Sequence, residues 1–134
     1  MALVVPNNGE GDGLEAFVAK TAMSNLVLRL FQSNTTPAET DTAATYTEAT
    51  FTGYSSITLT GANWSITEGA PSNAAYAQQT FTSSAGSQSQ NVYGYYMTRA
   101  TGGRIALAER FTDGPYQIVN NGDQIRVTPQ ITFD

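Results

Sequence analysis

From Leu26 onward, short stretches alternate residue by residue between apolar and polar side chains, and glycine, asparagine or proline separates them. A period of two places alternate side chains on opposite faces of an extended strand, so the pattern predicts β-structure rather than helix. Eight or nine short strands separated by turns are typical of an antiparallel β-sandwich, with the jelly roll among the candidate topologies. The chain is therefore predicted to be mainly all-β.

The strand candidates differ in strength, and the strongest is 26–31, which is predicted to be central because nearly every residue in it is apolar. The predicted strands cover 26–31, 46–51, 56–60, 63–67, 75–82, 91–99, 104–111, 116–119 and 124–133. Residues 33–45 are polar and lack periodicity, which predicts a long loop. Gly61 indicates a tight hairpin between 56–60 and 63–67. Pro129 lacks a backbone donor and indicates a sheet edge or a bulge.

The N-terminal part is predicted to differ from the rest. Pro6 and the Asn7-Asn8-Gly9 cluster oppose regular structure, so residues 1–11 are predicted to form an extended arm. A helix is predicted over 12–23, with its N-cap at Asp12. The helix face expected to pack on the sheet carries Leu14, Phe17, Val18 and Thr21. The predicted organisation is thus an arm over 1–11 followed by a single β-sandwich domain over 12–134.

The composition bears mainly on function. The chain has neither cysteine nor histidine, which removes thiolate chemistry, the usual general base near neutral pH and the commonest metal ligand. We therefore expect no enzyme, no metal and no cofactor. Only 13% of residues are charged and the net charge is −5, which argues against nucleic-acid partners. No apolar run approaches the roughly 20 residues that a membrane span needs.

Neutral polar residues fill much of the expected surface, and Lys20 is the only lysine beside five arginines. Hydroxyls and amides lose less free energy than charges when a partner covers them. Lysine depletion with arginine and tyrosine retained is also a bias of protein interfaces. The composition is thus compatible with a surface that other protein covers, and equally with a stable β domain of neutral polar surface.

The clearest hairpin joins 91–99 to 104–111 across a four-residue turn, in a register that sets Met97 against Ala106 and Tyr96 against Leu107. One face then resembles a partner-binding stripe of aromatic and arginine side chains. This stripe comprises Tyr93, Tyr95, Met97, Arg99 and Arg110. The alternative is ordinary packing, since the small Ala106 and Ala108 let the tyrosines lie flat. The opposite face is predicted to be core.

Three acidic residues near the end of this hairpin raise a catalytic alternative. Glu109, Asp113 and Asp123 are candidates for a carboxylate pair of the glycosidase type. They fall at a strand end and in turns, where acidic residues are common for backbone reasons. A carboxylate hydrolase is therefore the third of three functional hypotheses.

Two long stretches carry a resemblance to a known class of proteins. They are LVLRLFQSNTTPAETDTAATYTEATFTGYSSITLTGANWSIT (26–67) and YGYYMTRATGGRIALAERFTDGPYQIVNNGDQIRVTPQITFD (93–134). Within and between them, the blocks TEATFTGY, TLTGANW, YAQQTFT, AERFTDGP and NNGDQIRVTP occur in order. Together these blocks resemble small virion structural proteins of tailed bacteriophages. The resemblance implies a virion component without catalytic residues.

Within that class, the favoured hypothesis is a capsid decoration, or cement, protein, made in the host cytoplasm and located on the capsid exterior. Its expected partners are the major capsid protein and neighbouring copies of itself, and a trimer would suit a site of local threefold symmetry. The expected contacts are the stripe and the arm residues Leu3, Val4, Val5 and Pro6. The alternative is a tail or fibre component, including a carbohydrate-binding module in which Trp64 stacks on a sugar.

Overall fold

A computed structural model describes residues 3–133, which form one α-helix, α1 (Asn7–Phe17), and eleven short β-strands. The strands are β1 (Leu26–Phe31), β2 (Ile57–Leu59), β3 (Ser65–Thr67), β4 (Ser72–Ala75), β5 (Gln79–Thr82), β6 (Gln90–Val92), β7 (Gly94–Arg99), β8 (Ile105–Arg110), β9 (Tyr116–Ile118), β10 (Gln124–Val127) and β11 (Gln130–Phe133). Every strand pair among them is antiparallel. The predicted mainly all-β, sandwich-like fold with one short N-terminal helix is confirmed.

The largest sheet has four strands in the order β2-β1-β7-β8. β1 has a strand on each side, as its apolar sequence predicted. Leu28 pairs with Met97 and Leu30 with Tyr95, and all four side chains are buried. Both faces of this sheet carry buried side chains, which explains why β1 and β7 show little apolar–polar alternation.

The β7–β8 hairpin keeps the predicted register only near its turn. Thr98 lies opposite Ile105, as predicted, but a shift between Met97 and Thr98 places Met97 opposite Leu107 instead of Ala106. A bulge of this kind adds one residue to one strand, and a step of one residue exchanges the two faces of that strand. Met97 therefore lies opposite the large apolar Leu107, and both side chains belong to the core on that face.

The main core lies between one face of the largest sheet and the smaller sheets, two of which are β10-β5 and β6-β9. Its buried members are Leu28, Leu30, Ala49, Phe51, Leu59, Phe81, Val92, Tyr95, Met97, Ala106, Leu107, Ile118, Ile125 and Val127. Removal of such side chains from water is the main favourable contribution to folding, at roughly 25 cal/mol per Å² of apolar surface. This layer is what makes the fold sandwich-like.

A second, aromatic cluster covers the opposite face of the same sheet. It comprises Phe31, Tyr46, Tyr96, Ile105 and Ala108. The rings of Tyr46 and Tyr96 stack, with centroids 5.1 Å apart. Tyr46 follows the predicted loop 33–45, which contains one short 3-10 turn at its end. The ion pair between Arg29 and Glu48, at 2.8 Å, holds the end of this segment against the sheet.

Several segments predicted as single units are divided between sheets. Residues 75–82 contribute to β4 and β5, and residues 124–133 to β10 and β11, which pair with different partners. The second division falls at Pro129, which cannot donate to a strand ladder. The predicted hairpin at Gly61 is wrong, because Gly61–Asn63 forms a 3-10 turn while β2 pairs with β1 and β3 with β4.

The helix lies earlier in the chain than predicted. It covers Asn7–Phe17 instead of 12–23, so the last five residues of the predicted arm are helical. The Pro6 carbonyl accepts hydrogen bonds from the backbone N–H groups of Gly9 and Glu10, which starts the first turn. Glycine and asparagine have weak helix propensity, and packing against β8 overrides it here.

Candidate protein-docking surface

The residues before α1 lie against their own domain. The Val4 N–H donates to the Ala108 carbonyl at 2.8 Å, and the Val4 carbonyl accepts from the Ala108 N–H at 2.9 Å. Pro6 is fully buried, and Leu3 and Val5 pack against the main core. The extended arm predicted over 1–11 is thus, within the described chain, a segment docked on β8. Residues 1 and 2 of that prediction lie outside the described residues.

A buried ion cluster attaches α1 to the β7–β8 hairpin. Asp12 is 2% exposed and is the only buried residue of α1, all of whose residues are described. Its Oδ1 atom lies 3.1 Å from Nη1 of Arg99 and 3.2 Å from Nη1 of Arg104. Arg104 also donates to Oδ1 of Asn8 at 3.1 Å. The helix therefore turns its polar face toward the sheet, and Arg99, predicted to bind a partner, binds Asp12.

The opposite side of the helix is apolar and faces outward. Leu14 is 68% exposed, Phe17 90% and Val18 67%. We call these three residues, of which Val18 directly follows the last helical residue, the outer face of α1. The prediction that this face packs on the sheet is wrong, because Asp12 and the close backbone approach of Gly9 to Ala106 occupy that position. Contiguous exposed apolar side chains mark interaction sites in soluble proteins.

An apolar groove of about 630 Å³ adjoins the outer face of α1. The large apolar side chains that line it are Leu14, Phe17, Met23, Leu26, Leu107, Ile131 and Phe133. Phe133 is 73% exposed. Among the described residues that line the groove, Glu10 alone is charged. A concave apolar surface with a single charge suits the side chains of another protein better than a small polar ligand.

The predicted stripe on the β7–β8 hairpin is not exposed as a unit. Tyr95 and Met97 belong to the main core. Tyr93 is half-buried, and the guanidinium carbon of Arg110 lies 4.9 Å from the centre of its ring. Arg110 also donates to the carbonyl of Thr35 at 2.9 Å. The stripe prediction is corrected for Tyr95 and Met97, because both faces of the four-stranded sheet are covered and these two side chains lie in the layer that faces the smaller sheets.

The three candidate catalytic carboxylates have different internal partners. Glu109 accepts a hydrogen bond from the Tyr95 hydroxyl. Asp123 accepts backbone N–H bonds within its own turn, one of them from Val119 at 2.8 Å, and these bonds lower the pKa of Asp123. Asp113 contacts the Tyr116 hydroxyl instead. Among residues 3–133 there is no group of three or more acidic side chains that could hold a metal ion.

Trp64, the candidate sugar platform, is half-buried. It packs against the main core, and its ring meets that of Tyr76 edge-on, with centroids 5.2 Å apart. Stacking on a sugar requires an open ring face, and much of this ring is already in contact with protein. The structure therefore gives Trp64 a packing role.

Sequence reasoning missed the groove as a whole. It recognised Leu14 and Phe17 as apolar helix positions, and Ile131 and Phe133 as alternating strand positions, but assigned them to separate roles. Met23 is the last residue of the predicted helix and does not belong to its predicted apolar face, so no pattern marked it. Period alone shows that a face is apolar, and does not show which faces meet.

Comparison with protein-family models, with curated proteins and with solved structures gave no match. In the described part of the chain, no helix is both long enough and apolar enough to span a bilayer.

Proposed function

We propose that this chain is a non-catalytic virion structural protein, a decoration protein that binds the major capsid protein of a tailed phage through the apolar groove and the outer face of α1. The observation that carries the proposal is the orientation of α1, which buries an aspartate and exposes a leucine, a phenylalanine and a valine. Such an orientation is unfavourable in water and favourable when another protein covers the helix.

The energetics of this surface suit a lattice partner. Full burial of Leu14 or Phe17 contributes roughly 1.5–3 kcal/mol for each side chain. A few such side chains give a modest affinity for each copy after the cost of association. In this proposal the decoration protein binds the assembled shell and not the free capsid subunits. Its repeated binding therefore stabilises the shell relative to the free subunits.

The surrounding surface supports the same partner class. The chain has 13% charged residues and one lysine, Lys20. Neutral side chains are covered by protein at small desolvation cost. The resemblance of 26–67 and 93–134 to small phage virion proteins supports a partner within a phage particle, and the major capsid protein is the partner that we propose. In this proposal the domain itself presents the groove, and residues 3–6 hold α1 in place instead of reaching to a neighbour.

The test is a decoration assay on shells of the phage that encodes the protein, prepared without it. Wild-type protein and the variants Leu14→Ser and Phe17→Ser are added, and bound protein is measured after sedimentation. Each variant is expected to bind at least tenfold more weakly, since each loses a side chain that is exposed in the free protein and buried in the complex.

The matched control is Ile66→Ser, because Ile66 is 67% exposed, nearly as much as Leu14, and does not line the groove. Undiminished decoration by Phe17→Ser, or equal loss with Ile66→Ser, would contradict the docking surface. Antibody labelling of virions addresses the location: signal over the head supports decoration, and signal confined to the tail supports the tail or fibre alternative.

A further inference from the structure

A second surface depression, of about 430 Å³, shares no lining residue with the apolar groove. It is lined by Tyr116 of β9 and by Gln124, Ile125 and Arg126 of β10. Its volume falls within the roughly 300–1,000 Å³ of small-ligand sites. In the described chain β10 pairs with β5 alone, so its other edge has no strand partner. An aromatic ring, an amide, a guanidinium and an open strand edge thus border one depression.

The aromatic ring is exposed and held in place. Tyr116 is 41% exposed, and its ring centroid lies 5.1 Å from that of Phe111, at an interplanar angle of 57°. Partial burial and the Asp113 carboxylate near its hydroxyl raise the pKa of Tyr116. A ring fixed on one side and open on the other can receive the apolar face of a ligand ring without first losing rotamer freedom.

The guanidinium beside it is positioned but has no counter-ion. Arg126 Nη2 donates to Gln124 Oε1 at 2.9 Å, and Gln124 Nε2 donates in turn to Thr82 Oγ1 at 3.3 Å. Among residues 3–133, Arg126 forms no ion pair, although the chain has 11 acidic residues and only 6 basic ones. Most of its five N–H donors therefore remain available, in a geometry that matches a carboxylate.

We propose that this depression, the Tyr116–Arg126 site, binds an acidic saccharide, a pyranose that bears a carboxylate. The carboxylate pairs with Arg126, the apolar face of the sugar ring lies on Tyr116, and sugar hydroxyls bond to Gln124 and to the open edge of β10. A nucleic acid is disfavoured because the site offers one cation in a chain of net charge −5. The inference does not depend on capsid binding, and it would give a decorated particle affinity for acidic glycans.

The test uses the full chain and two arms, glucuronate and N-acetylneuraminate, with glucose as the neutral analogue. Saturation-transfer NMR detects binding, and titration calorimetry compares affinities. Glucuronate is expected to bind at least tenfold more tightly than glucose, because a hydrogen-bonded charge pair adds selectivity. The Arg126→Gln variant is expected to lose the preference for glucuronate over glucose. The Tyr116→Leu variant is expected to bind both glucuronate and glucose more weakly.

Lys20→Gln is the matched control, since it changes the net charge equally and lies outside the site. An ¹H–¹⁵N spectrum of each variant verifies the fold. Three results would overturn the inference: no saturation transfer from either acidic sugar at millimolar concentration, unchanged selectivity in Arg126→Gln, or competition by inorganic phosphate as strong as that by glucuronate. The two arms separate uronic acids from sialic acids as the ligand.

Discussion

Oδ1 of Asp12 lies 3.1 Å from Nη1 of Arg99, although the two residues are 87 positions apart in the sequence. This contact joins the N-terminal helix to the last third of the chain and decides which side of α1 meets the sheet. With Asp12 facing inward, the apolar positions of the helix must face outward. The proposed docking surface thus follows from the pairing of buried Asp12 with Arg99 and Arg104, together with the close approach of Gly9 to β8.

Removal of the Asp12 charge should destabilise the protein. Asp12→Asn leaves the largely buried Arg99 guanidinium without its counter-ion, and breaking a buried pair in this way costs about 3–5 kcal/mol. Because Arg104 is half-exposed and can return to water, the loss should fall at the lower end. Urea unfolding followed by circular dichroism measures this loss of stability.

The control is Glu15→Gln, whose ion pair with Lys20 is exposed and should contribute less than about 1 kcal/mol. Equal stabilities of the two variants would contradict the anchoring role.

Two glycines of α1 should respond in opposite directions to the same substitution. A Cβ at Gly9 would lie 2.1 Å from the Ala106 carbonyl oxygen, whereas a Cβ at Gly11 would meet no atom within 4 Å. Gly9→Ala should therefore push the helix off β8 and destabilise the fold. Gly11→Ala should stabilise it by up to about 1 kcal/mol through helix propensity. Urea midpoints of the two variants against wild type test this pair, and a shift of the same sign in both would contradict the helix placement.

Stability should decline in alkaline solution because of buried tyrosines. The pKa of Tyr96 is raised to about 12, mainly by burial and in part by the Glu48 carboxylate, while the Arg29 guanidinium opposes the rise. Burial is also the main cause of the raised pKa of Tyr95. A folded-state pKa above the unfolded value of roughly 10 means that the unfolded chain loses its protons first. The stabilisation is complete below about pH 10 and decreases as the pH rises toward the folded-state pKa, by up to about 1.4 kcal/mol per pH unit for each tyrosine.

Urea unfolding at intervals from pH 8 to pH 11 measures this decline. The chain has no cysteine and a single lysine, so tyrosines dominate the titration in this range. Tyr96→Phe should make the decline shallower, because the substitution removes one titrating group and keeps the ring in the aromatic cluster. A stability that does not change between pH 9 and pH 11 would argue against buried, neutral phenols.

The β7–β8 hairpin shows which features a sequence pattern can predict and which it cannot. Both strands were predicted, together with the four-residue turn between them, and both strands exist. The register beyond Met97 was not predictable from the sequence, because at the bulge two adjacent residues, Ala106 and Leu107, both enter the main core, which breaks the alternation of faces along β8. A local pattern contains no information about the layers above and below it.

Composition and short-range periodicity were enough to predict the β-rich fold and the central place of β1, and to exclude cysteine and histidine chemistry. The exposure of Leu14 and Phe17 on α1 and the burial of Tyr95 and Met97 depend on packing between distant segments, so they emerge only from the folded chain. A periodic pattern of apolar residues shows that one face of a helix or strand is apolar, but it does not show which other element covers that face. Here an arginine partner of Asp12 lies 87 residues later in the chain, and the clusters that cover the two faces of the β7–β8 hairpin come from other segments. No local pattern contains that information.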